Sequence, residues 1–159
     1  LALRLARAKA LAVAEQFPDA LIIGSDQVAT TKTAETAESA QQEHILGKPG
    51  NHDNARRQLR LLSGNSAHFH TGLALHSTRN GMTLTELISV EVRFRPLTDA
   101  QIERYLDREQ PFDCAGAAKS EGLGIALIEG IVGNDPNALV GLPLIALTGM
   151  LSQLGMPVL

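Results

Sequence analysis

The stretch LIIGSDQVAT, residues 21–30, decides how the rest of the chain is interpreted. Leu21–Ile23 is a short apolar run, which is typical of a buried strand. Gly24 and Ser25 come next and are followed by Asp26, so the predicted strand ends on a carboxylate. In open α/β sheets ligand sites collect at the carboxyl ends of strands, where a carboxylate can hold a metal ion or take a proton from water. Alternatively, Asp26 caps a turn through its side chain, because Asp after Gly-Ser is common in turns.

Composition and charge limit the classes of protein to consider. The chain has 159 residues, of which 44% are hydrophobic and 19% charged, values that suit one folded domain. Aromatic residues make up 3% and the net charge is −3, which argues against a nucleic-acid polymer as partner. Cys114 is the only cysteine, so a disulfide framework is excluded and a reducing cytoplasm fits. No apolar run approaches the ~20 residues that a membrane-crossing helix needs.

Hydrophobic periodicity predicts helices and strands in the order α-β-loop-α-β-β-α-β-α. Helices are predicted over residues 1–16, from an N-cap at Asp53 to Gly64, after a Thr98–Gln101 capping box, and after Pro143. Strands are predicted over residues 21–23, 68–77, 83–95 and 125–131, with a hairpin turn at 79–81. Residues 31–45 are polar, and we expect them to form an exposed insert in a single domain spanning 1–159. This order predicts an α/β or α+β domain with a mixed sheet.

Two lysines are candidate phosphate contacts. Lys48 lies in LGKPG, residues 46–50, where a rigid loop could aim its ammonium at a phosphate. Lys9 lies on a helical face that is otherwise mostly Ala and Leu, and from there it could reach a pocket. Each has a plainer alternative, because loop lysines are usually solvated and helical lysines usually extend to water. GKP is not a P-loop, since the spacing G-x-x-x-x-G-K-[ST] is absent.

The segment FDCAGAAKSEGLG, residues 112–124, is rich in small residues that let the backbone approach a ligand closely. Within it, Lys119 could contact a phosphate, and Glu121 could accept hydrogen bonds from the ring N–H and exocyclic amine of a guanine. The alternative is a connecting loop with solvated charges. Cys114 has no nearby histidine partner in the sequence, so we expect a small buried residue and not a nucleophile.

Three histidines share one face of a predicted strand and suggest a metal site. They are His68, His70 and His76. On an extended strand His76 would lie about 20 Å from His70, which is too far for one ion. Solvated strand histidines are therefore the favoured interpretation.

Eight segments, taken in order, resemble the Maf family of nucleotide pyrophosphatases over nearly the whole chain. They are LARAKA (5–10), LIIGSDQV (21–28), LGKP (46–49), ARRQLRLLSG (55–64), HTGLAL (70–75), VRFRPLTDAQIERYL (92–106), CAGAAKSEGLG (114–124) and DPNALVGLPL (135–144). Glutamine directly after the aspartate, KSEG in the later loop, and DPNALVGLPL are similar to the branch that acts on 7-methyl-GTP.

This resemblance implies hydrolysis of a nucleoside triphosphate between its α and β phosphates, giving a nucleoside monophosphate and pyrophosphate. It implies a divalent cation, Mg or Mn, as cofactor. It also implies an inosine-triphosphatase-like architecture, in which a twisted sheet is flanked by helices and carries a central cleft, and often a homodimer.

The resemblance also assigns roles to individual residues. Asp26 corresponds to the family's proposed general base, which activates the attacking water near a metal ion. The implied substrate-binding positions are Lys9, Gln27, Lys48, Lys119 and Glu121. Among these, Lys9 and Lys48 would neutralise the triphosphate, Lys119 would contact phosphate or substrate, and Gln27 and Glu121 would set base selectivity.

The chain differs from the family pattern at its start. Family members begin with a strand and a Ser-x-x-Arg-Arg-like loop, followed by an acidic segment, whereas this sequence opens directly in the helical pattern LALRLARAKALAVAEQF. We therefore expect that it begins partway through a longer protein. Two other functions stay open: a catalytically degenerate nucleotide-binding protein with this fold, and a pyrophosphatase acting on another nucleotide such as dTTP or UTP.

Overall fold

A computed structural model describes residues 1–33 and 42–159. Within them lie four α-helices and five strands: α1 (Ala2–Ala12), β1 (Leu21–Thr33), β2 (Gln42–Leu46), α2 (His52–Leu62), β3 (Ser66–Ser77), β4 (Thr83–Phe94), α3 (Asp99–Glu109), β5 (Ile128–Val132) and α4 (Leu144–Gln153). The predicted α/β class is confirmed. No helix in this part of the chain is long and apolar enough to cross a membrane.

The strands form one sheet in the order β2-β1-β3-β4-β5. β1 pairs antiparallel with β2, placing Ala29 opposite Leu46, and β4 pairs antiparallel with β5, placing Val92 opposite Ile131. The predicted turn between β3 and β4 is confirmed, with Gly81 at φ +71°. The sequence predicted a mixed sheet, and in the structure both of these pairs run antiparallel.

The described residues divide into two compact units. The first unit consists of Leu1–Gln27, His70–Val90 and Gly133–Leu159. The second unit consists of Val28–Phe69 and Glu91–Val132.

In the first unit the two helices cover opposite faces of the strands. α1 buries its alanines against Ile22 and Ala74, whereas α4 buries Leu147 against Leu73 and Leu75. Because successive strand residues point to opposite faces, the even-numbered residues of β1 face α1 and the odd-numbered residues face α4. All residues of β3 from 71 to 77 are consequently buried, whereas sequence alternation alone predicts one buried face.

In the second unit α2 and α3 pack side by side. Arg60 donates two hydrogen bonds to the Asp99 carboxylate, at 2.8 and 2.9 Å. The predicted capping box at the start of α3 is confirmed: Thr98 accepts from the N–H of Gln101, and the Gln101 side chain accepts from the N–H of Thr98. This reciprocal bonding satisfies two backbone donors that a helix start leaves without partners.

The start of α2 differs from the prediction by two residues. Asn51, not Asp53, is the N-cap, and its side chain accepts from the N–H of Asn54 at 2.9 Å. Asn and Asp are about equally good at this position, so the backbone decides: Asn51 has the extended conformation that a cap requires. Asp53 lies in the first turn, where a carboxylate still interacts favourably with the helix dipole.

β1 is much longer than the predicted strand over 21–23. Its last residues pair with β2, with Thr31 opposite His44, and Thr31 is fully buried with its hydroxyl donating to the Ser66 carbonyl at 2.8 Å. The first and last residues of the predicted exposed insert over 31–45 therefore belong to β1 and β2. Its remaining residues, 34–41, lie outside the described part of the chain.

Candidate active site

Asp26 lies within β1, on the face that α1 covers. The ammonium of Lys9 is 2.7 Å from Oδ1 of Asp26 and 3.0 Å from the Ser25 carbonyl oxygen. The Asp26 side chain is 17% exposed and that of Lys9 is 57% exposed. The structure thus brings Lys9 and Asp26 together, and Asp26 does not cap a turn.

Two glycines let α1 lie directly on the strands. A Cβ at Gly24 would be 2.1 Å from the carbonyl oxygen of Ala6, and a Cβ at Gly72 would be 2.5 Å from the backbone carbon of Ala2. The helix meets them with a row of small buried residues, Ala2, Ala6 and Ala10. Because α1 lies this close to the strands, the side chain of Lys9, the residue before Ala10, reaches the Asp26 carboxylate.

Gln27 lies on the opposite face of β1 from Asp26. Its Nε2 donates to the Thr71 hydroxyl and to the Ala138 carbonyl, both at 2.9 Å. The neighbouring odd-numbered residue, Ser25, donates its hydroxyl to the Gly141 carbonyl at 2.6 Å. The structure therefore does not place the Gln27 side chain beside the Asp26 carboxylate. Its buried partners, Thr71 and Ala138, could not be identified from the sequence.

In the second unit, Lys48 lies on a loop whose backbone carbonyls accept hydrogen bonds from side chains of α2. The side chain of Asn54 donates to the Pro49 carbonyl at 2.9 Å, and that of Gln58 donates to the Gly47 carbonyl at 3.0 Å. Lys48 itself is exposed, and within residues 1–33 and 42–159 nothing is bonded to its ammonium. Its role as a phosphate contact stays a prediction.

Lys119 already has a carboxylate partner. Its ammonium is 3.2 Å from Oε1 of Glu109, and its backbone N–H donates to the hydroxyl of Tyr105 at 3.1 Å. Sequence reasoning missed Glu109, which sits at the end of α3 with no local pattern to mark it. Glu121, two residues beyond Lys119, is exposed.

The hydrogen bonds to the Glu109 carboxylate make the stability of the protein depend on pH. A hydrogen bond from the Leu123 N–H and then one from Lys119 hold the pKa of the Glu109 carboxyl below its ordinary value. A lowered pKa stabilises the fold above the unfolded-state pKa of about 4.3, and this contribution disappears as the pH falls through the folded-state pKa. In thermal melts, the Tm of wild type should therefore be higher than that of Glu109→Gln at neutral pH, and the two values should converge in acid. A gap that is constant with pH would contradict this.

Cys114 is unsuited to nucleophilic chemistry. Burial, followed by its contact with Asp113, raises the pKa of the thiol to about 11. Because the thiolate is the reactive form, we expect native protein to react with a thiol reagent at neutral pH at least tenfold more slowly than the denatured chain, where the pKa returns to about 8.5. Equal rates in the two states would contradict this assignment.

Two of the three strand histidines have a hydroxyl group of β4 within hydrogen-bond distance. Nδ1 of His70 lies 2.8 Å from the Ser89 hydroxyl, and Nδ1 of His76 lies 2.8 Å from the Thr83 hydroxyl. His76 is buried, so the expectation of solvated histidines is wrong at this position. Across the described ranges 1–33 and 42–159, no group of three or more His, Cys, Asp or Glu is placed to hold a metal ion.

Comparison with known proteins agrees with the sequence resemblance. A family model described as Maf-like protein matches residues 1–154. The 7-methyl-GTP pyrophosphatase of Methylobacillus flagellatus is 52% identical over 158 residues, covering 99% of this chain and 77% of the relative. Those of Cupriavidus pinatubonensis, 53% identical with 98% and 73% covered, and Thiobacillus denitrificans, 52% identical with 99% and 74% covered, are similar to the same extent.

Proposed function

Since the chain belongs to the Maf family, we propose that it is a nucleoside triphosphate pyrophosphatase that hydrolyses 7-methyl-GTP to 7-methyl-GMP and pyrophosphate and so removes modified nucleotides. The names of its 52–53% identical relatives support the substrate. The single observation that carries the chemistry is the Lys9–Asp26 pair at 2.7 Å on β1.

Asp26 acts in this proposal as general base. Oδ1 is held by Lys9, and within residues 1–33 and 42–159 no group is bonded to Oδ2. The second oxygen can therefore accept a proton from a water molecule. The water oxygen forms a bond to the α-phosphorus, the bond from that phosphorus to the bridging oxygen breaks, and pyrophosphate leaves with the electron pair.

Lysines neutralise the triphosphate. Lys48 has a charge with no partner in the described ranges, so it can bind phosphate without first breaking an ion pair. Lys119 must exchange Glu109 for a phosphate, and Lys9 must share its ammonium with Asp26. On this basis Lys48 is the strongest candidate for the initial electrostatic contact, and Glu121 is the candidate for the guanine edge.

The residues present fit a divalent cation, Mg or Mn, that arrives with the substrate. Mg²⁺ commonly binds through one or two carboxylates plus the phosphates of a nucleotide, and Asp26 offers one partly exposed carboxylate. When bound, such an ion would neutralise phosphate charge and polarise the phosphoryl oxygens. Asp26 is the residue that would hold it.

The proposed location is the cytoplasm. The single cysteine, Cys114, suits a compartment where thiols remain reduced.

A substrate panel tests the proposal directly. The protein is incubated with Mg²⁺ or Mn²⁺ and, separately, 7-methyl-GTP, GTP, dTTP and UTP, and released pyrophosphate is measured. We expect the highest kcat/KM with 7-methyl-GTP. Preferential release from dTTP or UTP would overturn the base assignment. Release from none of the four would favour the nucleotide-binding alternative.

A further inference from the structure

Two side chains of α3 hold the segment 115–124, and all of these residues belong to the second unit. Tyr105 and Glu109 are four residues apart, so they lie on the same face of the helix, one turn from each other. Tyr105 is 5% exposed, and the Glu109 side chain is 13% exposed. A carboxylate so far removed from water needs polar partners, and the segment supplies them.

The hydroxyl of Tyr105 joins two points of the segment. It donates to the Ala117 carbonyl at 3.0 Å and accepts from the Lys119 N–H at 3.1 Å. Burial raises the pKa of this hydroxyl, so it keeps its proton and can donate at any ordinary pH. Ala117 has a φ of +53°, a left-handed conformation that costs free energy for a residue with a Cβ. The bonds to Tyr105 therefore stabilise a backbone conformation that is unfavourable by itself.

Glu109 holds the other end of the segment. Its Oε2 accepts from the Leu123 N–H at 2.8 Å, and its Oε1 lies 3.2 Å from the Lys119 ammonium. The backbone passes so close to this carboxylate that a Cβ on Gly122 would lie 2.7 Å from Oε2. Glycine at position 122 thus allows the segment to approach Glu109 directly.

Between these two anchors the chain makes a tight turn. The Gly122 N–H donates to the Lys119 carbonyl at 3.0 Å, which places Ser120 and Glu121 at the two central positions of the turn. Glu121 is exposed, so the position of its carboxylate depends on the turn that carries it. That turn is held by Tyr105 where it begins and by Glu109 where it ends.

We propose that Tyr105 and Glu109 are positioning residues that fix the turn at residues 119–122 and, by acting through Glu121, set the base selectivity of the site. The proposal rests on the proposed function, in which Glu121 contacts the guanine edge. Since Tyr105 and Glu109 bind the backbone of the turn and the Lys119 side chain, they act on the base only through the residue that the turn presents. Their loss should therefore weaken the preference for 7-methyl-GTP.

The kinetic test uses Tyr105→Phe and Glu109→Gln, which keep the shape of each side chain. We expect the ratio of kcat/KM for 7-methyl-GTP to that for dTTP to fall about three- to tenfold in each variant, as loss of one or two hydrogen bonds implies. A change at the Lys119 ammonium would act on phosphates that both substrates share, so it cancels in this ratio. A ratio within about twofold of wild type in both variants would overturn the proposal.

A double-mutant cycle tests whether Tyr105 acts through Glu121. Glu121→Gln should lower the ratio by itself, and adding Tyr105→Phe should then change it little, because residues that act as one unit are not additive. If the two effects instead multiply in the double variant, Tyr105 does not act through Glu121 and the proposal is wrong.

Thr98→Ala is the matched control. It removes the cap of the helix that carries both positioning residues and should lower Tm by about 2–4 °C while leaving the ratio unchanged. A fall in the ratio equal to that of Tyr105→Phe would mean that general destabilisation, and not positioning, accounts for the effect.

A second measurement does not depend on activity. The backbone N–H of Lys119, followed by NMR, should exchange with solvent at least about tenfold faster in Tyr105→Phe than in Thr98→Ala, because only the first variant removes its acceptor. Equal rates in the two variants would show that Tyr105 does not hold the turn. Slow exchange in wild type together with no pyrophosphate release from any nucleotide would refute the proposed function while supporting the contact of Tyr105 with the turn.

Discussion

Asp26→Asn should reduce kcat for 7-methyl-GTP by about 10²–10⁴-fold, the range that a general base contributes. Asparagine keeps the shape and can still accept from Lys9, but its amide cannot take a proton from water. The folded state should be little affected, because a partly exposed ion pair contributes only about 0–1 kcal/mol. Pyrophosphate release and thermal melting of the same preparation measure both effects.

Asp19→Asn provides the control for charge removal. Asp19 is an exposed carboxylate in the same unit, 2.7 Å from the Arg79 guanidinium, and it has no part in the proposed site. Its replacement should leave kcat unchanged. If Asp26→Asn retained near-normal kcat, the general-base role of Asp26 would be wrong.

Gly24→Ala should destabilise the protein strongly and also lower kcat. The new Cβ would lie 2.1 Å from the Ala6 carbonyl oxygen and 2.8 Å from the Ala10 nitrogen, both backbone atoms of a packed helix. Overpacking costs about 1–3 kcal/mol and occasionally more, and contact with backbone belongs at the upper end. A loss of about 3 kcal/mol would lower Tm by about 6–12 °C. α1 would move away from the sheet and take Lys9 from Asp26.

Gly149→Ala tests whether the loss of stability in Gly24→Ala comes from steric overlap of the added Cβ. Gly149 lies in α4 with nothing within 4 Å of an added Cβ, so alanine there should stabilise by roughly 0.5–1 kcal/mol. Thermal or urea unfolding of the two variants makes the comparison. A Gly24→Ala protein as stable and active as wild type would refute the direct contact of α1 with β1.

Several elements were predictable because their signals are local. The Thr98–Gln101 capping box, the turn at Gly81 and the period-two pattern of β4 each depend on residues a few positions apart, and the structure confirms them. Prediction failed where tertiary pairing decides. β1 continues to Thr33 because β2 pairs with it, and His76 is buried because β3 is covered on both faces.

The α/β class, the family and a carboxylate on the first strand all follow from the amino-acid sequence, because periodicity and motif order are properties of the chain alone. Which charged groups come into contact depends on how the chain folds. Lys9 and Asp26 are 17 residues apart, and Gln27 and Ala138 are 111 apart. No local pattern encodes such pairs, since they exist only when α1 rests on Gly24 and Gly72 and when α4 packs on the other face. Lys119 shows the same limit. The sequence suggests an unpaired cation, whereas in the structure its ammonium lies 3.2 Å from Oε1 of Glu109.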